Sequence, residues 1–572
     1  MMWENIVSAV RSFLLSGDEF PLIFTDVTFW IFFAVVMAVF SALHTRKALR
    51  NAFLFLISIF FYYKTSGFFF SILLFSTITD YLIGFRITSG KTDARRKGWL
   101  ALSIVINLSV LLYFKYAYFF ADSFNATFGT DWHPINNFAA VSNELFGTTF
   151  RVDKILLPVG ISFYTFQTMS YAIDLYRGHV KPVKSIFDFG FYVSFFPQLV
   201  AGPIVRAADF IPQIYKKYAL TRYEFGMALF WIMNGLLKKF LLADYLALNF
   251  VDRVFANPAS YSGFENLTAL YAYSLQVYAD FSGYTDIAIG VAMLMGFTLP
   301  TNFNSPYKAV SVGNFWKRWH ISLSTWLKDY LYIPMGGNRG GSLFTFISLG
   351  FVAAFLFLLS GSVVVLTSFV AGIGVALILG LIFPSLRSWY TTNINVMITM
   401  LLGGLWHGAS WNFMLWGGLN GLGLVVYKLW KRVSPWEDKS KWYNRVWGIF
   451  LTFNFISFTR IWFRSSSATT WEDINEGHNI LEEWFSANTM LQKMTEIDFT
   501  MAPEIITGFW KVFAVMTVGF IIHWLPSTWK EWYRSQFAKA HLLVQAATAI
   551  VVILILKQVV SADLQPFIYF QF

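Results

Sequence analysis

The stretch LLGGLWHGASWNFMLWGGLNG (residues 401–421) places one histidine, His407, inside a glycine-rich apolar run. An ionisable side chain within a bilayer is costly, and it normally faces the interior of a helix bundle or a water-filled cavity. The surrounding glycines allow the close approach of another helix or of a substrate. The stretch therefore predicts membrane-embedded helices around a buried polar site, although a hydrogen-bonded structural histidine would fit it as well.

The composition of the whole chain is that of a polytopic membrane protein. Of its 572 residues, 56% are hydrophobic and 13% are charged, whereas roughly a quarter of the residues in a soluble domain are charged. Because backbone groups in hydrocarbon must pair within their own segment, we expect an all-α helical bundle formed by one domain, residues 1–572. Apolar runs of spanning length predict roughly eleven or more membrane-embedded helices, some of them re-entrant. These runs lie near residues 22–43, 98–121, 224–250, 343–360, 363–385, 396–427, 446–463, 506–525 and 542–561, with shorter or interrupted runs at 51–63, 67–85, 155–175, 187–201 and 265–298.

The distribution of charge predicts the orientation of these helices. The net charge is +11, and Lys and Arg cluster between the apolar runs, as in the basic loops 44–50 and 86–97. The positive-inside rule places such loops in the cytoplasm. Segment 465–505 has eight acidic residues and one basic residue, Lys493, which favours an extracytoplasmic insertion. Both termini then lie outside. No nucleic-acid-binding module accompanies the positive charge.

The stretch YADFSGYTD (278–286) interrupts the apolar run 265–298 with two carboxylates. It predicts a helix that is broken at this point and faces protein or water. Asp280 and Asp286 would then cap two half-helices, since Asp is a strong N-cap residue. Alternatively, the break would form the discontinuous-helix site of a transporter.

The stretch NFWKRWHISLSTWLKDYLYIPMGGNRGG (314–341) also mixes aromatic and charged residues. Its spacing predicts an amphipathic helix over 314–332, interfacial or re-entrant, that ends at a Gly-Gly-Asn-Arg-Gly-Gly turn. His320 lies beside tryptophans at helical spacing. Lys317 and Arg318 fit either snorkelling at the interface or an anion site for a phosphorylated donor.

The histidines and cysteines limit the chemistry. There are eight histidines and no cysteine, so thiolate sites, disulfides and an acyl-cysteine intermediate are excluded. The histidine spacing predicts no metal site. A neutral imidazole can accept a proton from an alcohol near physiological pH. From the residues alone, an enzyme and a transporter both remain open.

Four blocks of the chain resemble the signature blocks of membrane-bound O-acyltransferases. They are FFPQLVAGPIVR (195–206), YADFSGYTDIAIG (278–290), and the stretches at 314–341 and 401–421. The likeness covers most of the chain from about Leu156 to Arg464 and is closest to the alginate O-acetylase branch of bacterial polysaccharide acetyltransferases. The resemblance implies transfer of an acyl group from a cytoplasmic thioester, through a central tunnel, to an acceptor at the far face.

The resemblance also assigns roles to residues. His407 matches the intramembrane catalytic histidine and would act as general base, and His320 matches the second polar position and would polarise the carbonyl or orient a substrate. Asp280 and Asp286 would shape the tunnel. Donor contacts are expected from Lys317, Arg318, Asn338 and Arg339. No cofactor is expected to be tightly bound, and the donor substrate would be acetyl-CoA or another acyl thioester.

The family likeness further implies a location and partners. The location is the bacterial inner (cytoplasmic) membrane, and the acceptor is an extracytoplasmic polysaccharide or another hydroxyl compound. An extracytoplasmic SGNH-type acetyltransferase would receive the acetyl group and modify the polymer. Segment 465–505 would dock such a partner or remain a solvated loop.

One feature departs from the branch, because an apolar hairpin at 343–385 is inserted before the His407 stretch. An inserted hairpin preserves topology by parity. The hairpin leaves the subfamily, and with it the acceptor, open. The alternatives in other functional classes are a transporter or polymer-export channel and a scaffold that only recruits a soluble acetyltransferase.

Overall fold

The computed structural model describes residues 22–148, 150–438, 440–465 and 480–559, and all regular secondary structure within these ranges is helical. The α-helices are numbered in chain order. Helices α1 to α8 are Val27–Leu43, Lys47–Ser66, Phe70–Ser89, Asp93–Phe128, Asn137–Phe146, Ile161–Arg177, Ile186–Ser194 and Phe196–Leu199. Helices α9 to α16 are Ala207–Ile214, Arg222–Leu237, Asp252–Ala256, Gly263–Leu294, Val312–Trp316, Ile321–Leu327, Leu343–Ser360 and Val363–Ile382. Helices α17 to α24 are Pro384–His407, Trp411–Val433, Trp442–Ser465, Ile480–Thr495, Ala502–Gly508, Trp510–Trp524, Ser527–Lys539 and Leu542–Val559. Segments Lys238–Asp244, Ala247–Val251 and Lys328–Tyr332 are π-helical.

The structure confirms the all-α polytopic membrane class. In the described ranges, six helical segments are long and apolar enough to cross a membrane, and two bent pairs, α21 with α22 and α23 with α24, raise the number to eight. The six segments are Lys47–Ser89, Asp93–Phe128, Arg222–Ala256, Leu343–Ser360, Val363–Ile382 and Trp442–Ser465. The number is below the expected eleven because several core helices do not qualify by length and composition: α6 has only 17 residues, and α12 and α17 carry many buried polar side chains.

Helix α12 is continuous over 32 residues, so the break predicted at 278–286 is wrong. The interpretation of Asp280 and Asp286 as caps is wrong for the same reason. Both carboxylates are instead neutralised by the π-helical continuation of α10. Lys239 Nζ lies 2.7 Å from Asp280, and Lys238 Nζ lies 2.6 Å from Asp286. Two buried charges can remain inside an unbroken helix when each has a partner.

Glycines let α10 and α12 approach closely enough for these pairs to form. A Cβ on Gly235 would lie 2.5 Å from the carbonyl oxygen of Gly283, and one on Gly290 would lie 2.6 Å from that of Ala228. Backbone-to-backbone contact of this kind requires small residues at both helix surfaces. The two helices therefore pack closely in the core and are joined by two ion pairs.

The predicted helix over 314–332 is divided in the structure. Helices α13 and α14 are separated by residues 317–320, and His320 has a left-handed backbone with φ of 44°. The break is stabilised by Asn302, whose backbone oxygen accepts from Ile321 N at 3.0 Å and whose Oδ1 accepts from Ser322 N at 3.1 Å. These long-range hydrogen bonds replace helical ones, which is why the local spacing was misleading. The expected glycine turn is present, with Gly336 and Gly340 at positive φ.

The two segments singled out as insertions differ in what the structure describes. The apolar hairpin at 343–385 forms α15 and α16, and the apolar windows of these helices are only 22% and 6% buried. Of segment 465–505, residues 466–479 lie outside the described residues, and α20 covers most of the remainder. Their status as insertions, and the extracytoplasmic position of 465–505, stay predictions.

Candidate active site

His407 is the last residue of α17 and is 3% exposed. A Cβ on Gly404 would lie 2.2 Å from the backbone oxygen of Phe413, and one on Gly408 would lie 2.1 Å from the Phe413 ring. Only glycine at these two positions allows α17 and α18 to pack this closely. The glycines that flank the histidine in the sequence thus fix where the end of α17, and with it the imidazole, lies against α18.

His320 lies beside His407, although 87 positions separate them in the chain. It is fully buried, and the centroids of the two imidazole rings are 6.3 Å apart. Trp406 contacts both, with ring centroids 5.8 Å from His320 and 5.0 Å from His407. The structure brings the two predicted histidines together in one site, while their catalytic roles stay predictions.

Aromatic rings surround the histidine pair. Trp416 and Phe463 pack against His407 with centroid distances of 5.2 and 5.3 Å, and Phe281 packs against His320 at 4.7 Å. Such surroundings exclude bulk water and strengthen any electrostatic interaction formed inside the site.

Two cavities meet at His407, and both are lined by His407 and Trp416. The larger has a volume of about 170 Å³ and extends along α14 and α17 to Lys328 and Tyr332. The smaller, of about 10 Å³, lies between α12, α18 and α19 and is bordered by Arg460. His407 therefore stands between a space large enough for a small acyl group and a space that holds one oxygen-sized atom.

The larger cavity ends near a basic loop. Lys328 is exposed, and the backbone oxygen of the next residue, Asp329, accepts a hydrogen bond of 3.2 Å from Arg177 at the end of α6. The backbone oxygen of Tyr176, the preceding residue of α6, accepts a hydrogen bond of 2.6 Å from Arg96. Arg96 belongs to the basic loop 86–97, so the exposed end of the cavity lies on the face that the positive-inside rule assigns to the cytoplasm.

The end of α17 is held by a lysine, Lys115, that was not among the site residues predicted from the sequence. Lys115 Nζ in α4 donates to the backbone oxygens of Trp406 at 2.7 Å and His407 at 3.2 Å, and Tyr116 Oη donates to that of Leu405 at 2.8 Å. The last carbonyls of a helix have no partner within the helix, and a cation there also complements the helix dipole. The signal was visible: Lys115 is the only charged residue between Leu100 and Ala121 in a run of spanning length.

The predicted donor contacts lie outside both cavities in the part of the chain that the structure describes. Arg318 donates to Asn304 O at 3.0 Å and to Asn314 Oδ1 at 3.1 Å, whereas Lys317 and Arg339 are exposed. Asn338 accepts a hydrogen bond of 2.7 Å from Tyr332, which does line the larger cavity. Contact of these four residues with a donor stays a prediction. The described residues contain no group of three or more His, Cys, Asp or Glu side chains that could hold a metal ion.

Comparison with known proteins supports the family resemblance. The sequence profile of the MBOAT, membrane-bound O-acyltransferase family, matches residues 179–392, a range that includes His320. The chain is 39% identical over 355 residues to the probable alginate O-acetylase AlgI of Azotobacter vinelandii, covering 61% of this chain and 58% of that protein. It is 30% identical over 494 residues to the peptidoglycan O-acetyltransferase of Helicobacter pylori, covering 82% and 80%. It is 27% identical over 322 residues to the teichoic acid D-alanyltransferase of Streptococcus thermophilus, covering 53% and 66%.

The alignment to the Helicobacter pylori protein extends along four fifths of both chains. The Azotobacter vinelandii alignment, by contrast, spans little more than half of that protein's length. The profile match, the identities and the helical membrane fold agree with one another, and the chain belongs to the membrane-bound O-acyltransferase family.

Proposed function

We propose that this chain is an O-acyltransferase that takes an acetyl group from acetyl-CoA at the cytoplasmic face and delivers it toward O-acetylation of an extracytoplasmic polysaccharide. The observation that carries the proposal is the position of His407, which borders both cavities beside His320. A donor acyl group would enter along the larger cavity from the Lys328 end, and the acceptor would approach from the opposite side.

The reaction requires His407 to take up one proton and then to release it. His407, as a neutral imidazole, takes the proton of the acceptor hydroxyl while the oxygen attacks the thioester carbonyl. When the carbon–sulfur bond breaks, the imidazolium returns the proton to the leaving thiolate. His320, 6.3 Å away between ring centroids, would polarise the carbonyl or orient one of the substrates.

The names of the relatives support the proposed class of acceptor. Their names specify alginate, peptidoglycan and teichoic acid as the molecules modified, with acetyl transfer in two cases and D-alanyl transfer in the third. We propose a polysaccharide acceptor for this chain, reached directly or through an extracytoplasmic SGNH-type acetyltransferase. The corresponding location is the bacterial inner membrane, with both termini on the extracytoplasmic side.

A transporter or export channel has lost the observation that suggested it. That alternative rested on a discontinuous helix at 278–286, and α12 is continuous there. A scaffold that only recruits a soluble enzyme remains distinguishable by experiment, because it does not need an ionisable group at position 407.

The test uses the purified full-length protein in lipid nanodiscs, with acetyl-CoA as donor and methyl glucoside as a soluble acceptor. We expect release of the free thiol and formation of an acetyl ester, and we expect His407→Ala to lose at least about a thousandfold of the rate. The control variant is His133→Ala, because His133 is exposed and its Nε2 lies 2.8 Å from the neighbouring carboxylate of Asp131. Full activity in a folded His407→Ala variant would rule out the proposed mechanism. The scaffold alternative instead predicts that the purified wild-type protein forms no acetyl ester without a soluble enzyme.

A further inference from the structure

Arg460 is a buried cation close to His407 that the proposed mechanism does not yet use. It lies in α19, one of the segments that can cross a membrane, and is only 4% exposed. Among the residues that the structure describes, no carboxylate lies within 4.0 Å of its guanidinium. Arg464, one turn further along the same helix, does have such a partner, because its Nη2 lies 2.9 Å from Asp252.

The guanidinium is held in place by neutral groups. Its Nη1 donates to Tyr307 Oη at 2.5 Å and to the backbone oxygen of Ser274 at 3.1 Å. The guanidinium also stacks on two aromatic rings, with Cζ 4.7 Å from the centroid of Trp319 and 5.3 Å from that of Tyr307. Both hydrogen bonds use Nη1, and an arginine has five N–H donors. The N–H groups of Nε and Nη2 therefore remain for another acceptor.

Arg460 borders the smaller cavity. Arg460 and Phe463 are three residues apart on α19, on one face of the helix, and both line the cavity with His407. Its volume of about 10 Å³ corresponds to roughly one water-sized site. The space is too small for a sugar ring or a carboxylate, but it fits a single oxygen atom.

A buried cation without a counter-charge is unfavourable, and an anion that is present only part of the time would explain its position. Acyl transfer produces such an anion next to a general base. We propose that Arg460 stabilises the oxyanion that forms when the acceptor hydroxyl adds to the thioester carbonyl. This inference rests on the proposed transfer at His407.

The acceptor oxygen forms a bond to the carbonyl carbon while His407 takes its proton, and the π electrons of the carbonyl move to its oxygen. That oxygen carries the negative charge and accepts hydrogen bonds from Nε and Nη2 of Arg460. Collapse of the intermediate restores the carbonyl, breaks the carbon–sulfur bond, and sends the proton from His407 to the thiolate, which leaves an ester and a thiol.

The test compares Arg460→Met with the wild type in nanodiscs, using acetyl-CoA and two acceptors of equal size, methyl glucoside and methyl glucuronoside. Methionine removes the charge and keeps most of the length. Loss of an interaction made only in the transition state lowers kcat without changing KM. We expect kcat to fall about 100-fold with both acceptors, as for loss of one oxyanion donor, and the KM for acetyl-CoA to stay within about twofold.

Two results would overturn the proposal. One is an unchanged kcat, and the other is a loss seen only with the glucuronoside and expressed in its KM, which would make Arg460 a site for the acceptor carboxylate. Failure of the function itself looks different, because the wild type would then show no turnover or His407→Ala would remain active.

Controls separate the proposed role from a structural one. Tyr307→Phe removes a hydrogen bond to Arg460 but keeps the charge, so kcat should fall clearly less than in Arg460→Met. If Arg460→Met does not fold, Arg460→Lys decides the question, because it keeps the charge and loses the forked donors. We then expect kcat to fall at least about tenfold, with an unchanged KM for acetyl-CoA. A wild-type kcat in Arg460→Lys would contradict the proposal.

Discussion

The core contains two regions with buried charge, and they are built in opposite ways. Between α10 and α12, Lys239 lies 2.8 Å from Asp244 and 2.7 Å from Asp280, so each charge has a partner. Around the end of α17, Lys115 and Arg460 are held only by carbonyl and hydroxyl oxygens and aromatic rings among the described residues. Of the two cavities at His407, neither is lined by Lys239, Asp244 or Asp280, whereas Arg460 lines the smaller one.

The two regions use buried charge for different purposes. A cation with its carboxylates in place has no net charge to offer a substrate, and removing either partner leaves an uncompensated ion. A cation fixed by neutral oxygens keeps its charge available. We therefore expect substitutions in the α10–α12 region to change stability first, and substitutions around α17 to change catalysis first.

The largest effect is expected at Lys239. Lys239→Met leaves two buried carboxylates without their cation, and loss of one partner from such a group costs about 3–5 kcal/mol. Thermal unfolding of the purified protein in detergent should occur at a much lower temperature, and the yield of folded protein should drop.

The matched variant is Lys239→Met with Asp280→Asn. Removing one of the two orphaned charges should recover part of the loss, which a double-mutant cycle measures. If the single variant unfolds like the wild type, the ion pairs are not what holds α10 and α12 together, and the comparison between the two regions fails.

A smaller effect, on rate and not on folding, is expected at Lys115. Lys115→Met removes a charged donor from the backbone oxygens of Trp406 and His407. Hydrogen bonds to charged groups contribute about 1.5–3 kcal/mol. If losing these bonds disturbs the orientation of His407, kcat should fall roughly 10- to 100-fold. The KM for acetyl-CoA should not change, and Lys115→Arg should recover part of the rate.

Tyr116→Phe is the control for Lys115. Tyr116 donates a hydrogen bond between neutral groups to the backbone oxygen of Leu405, the residue before Trp406. Its effect should be the smaller of the two. A Lys115→Met enzyme that unfolds earlier but keeps its kcat would show that Lys115 only stabilises the helix end.

The sequence could predict the apolar helices and the burial of His407 because these features are local. A glycine-rich run with one histidine carries its own explanation, and His320 is marked by the aromatic residues around it. The family resemblance supplied the expectation that these two histidines share a site. The structure then places their rings 6.3 Å apart.

Each feature that was not predicted from the sequence depends on a partner that is distant in the chain. Asp280 appeared to break a helix because its counter-ion, Lys239, is 41 residues away. The break before His320 depends on hydrogen bonds from Asn302. Lys115 contacts an oxygen 291 residues further along. No local pattern contains these pairings, so only the folded chain reveals which charges are compensated.

The smallest effect is expected at an ion pair that is partly exposed to water. Arg206 Nη2 lies 2.6 Å from Asp329, and the two side chains are 28% and 25% exposed. Water screens such a pair, so Arg206→Met should lower the free energy of unfolding by about 1 kcal/mol. The rate of transfer should stay near that of the wild type, because Arg206 borders neither cavity at His407 in the described part of the chain. Together with Lys239→Met, this variant separates the effect of pairing from the effect of burial. Equal losses of unfolding free energy at the two sites would mean that pairing alone determines stability. A larger loss at Lys239 would show that the cost comes from leaving a charge where water cannot reach it.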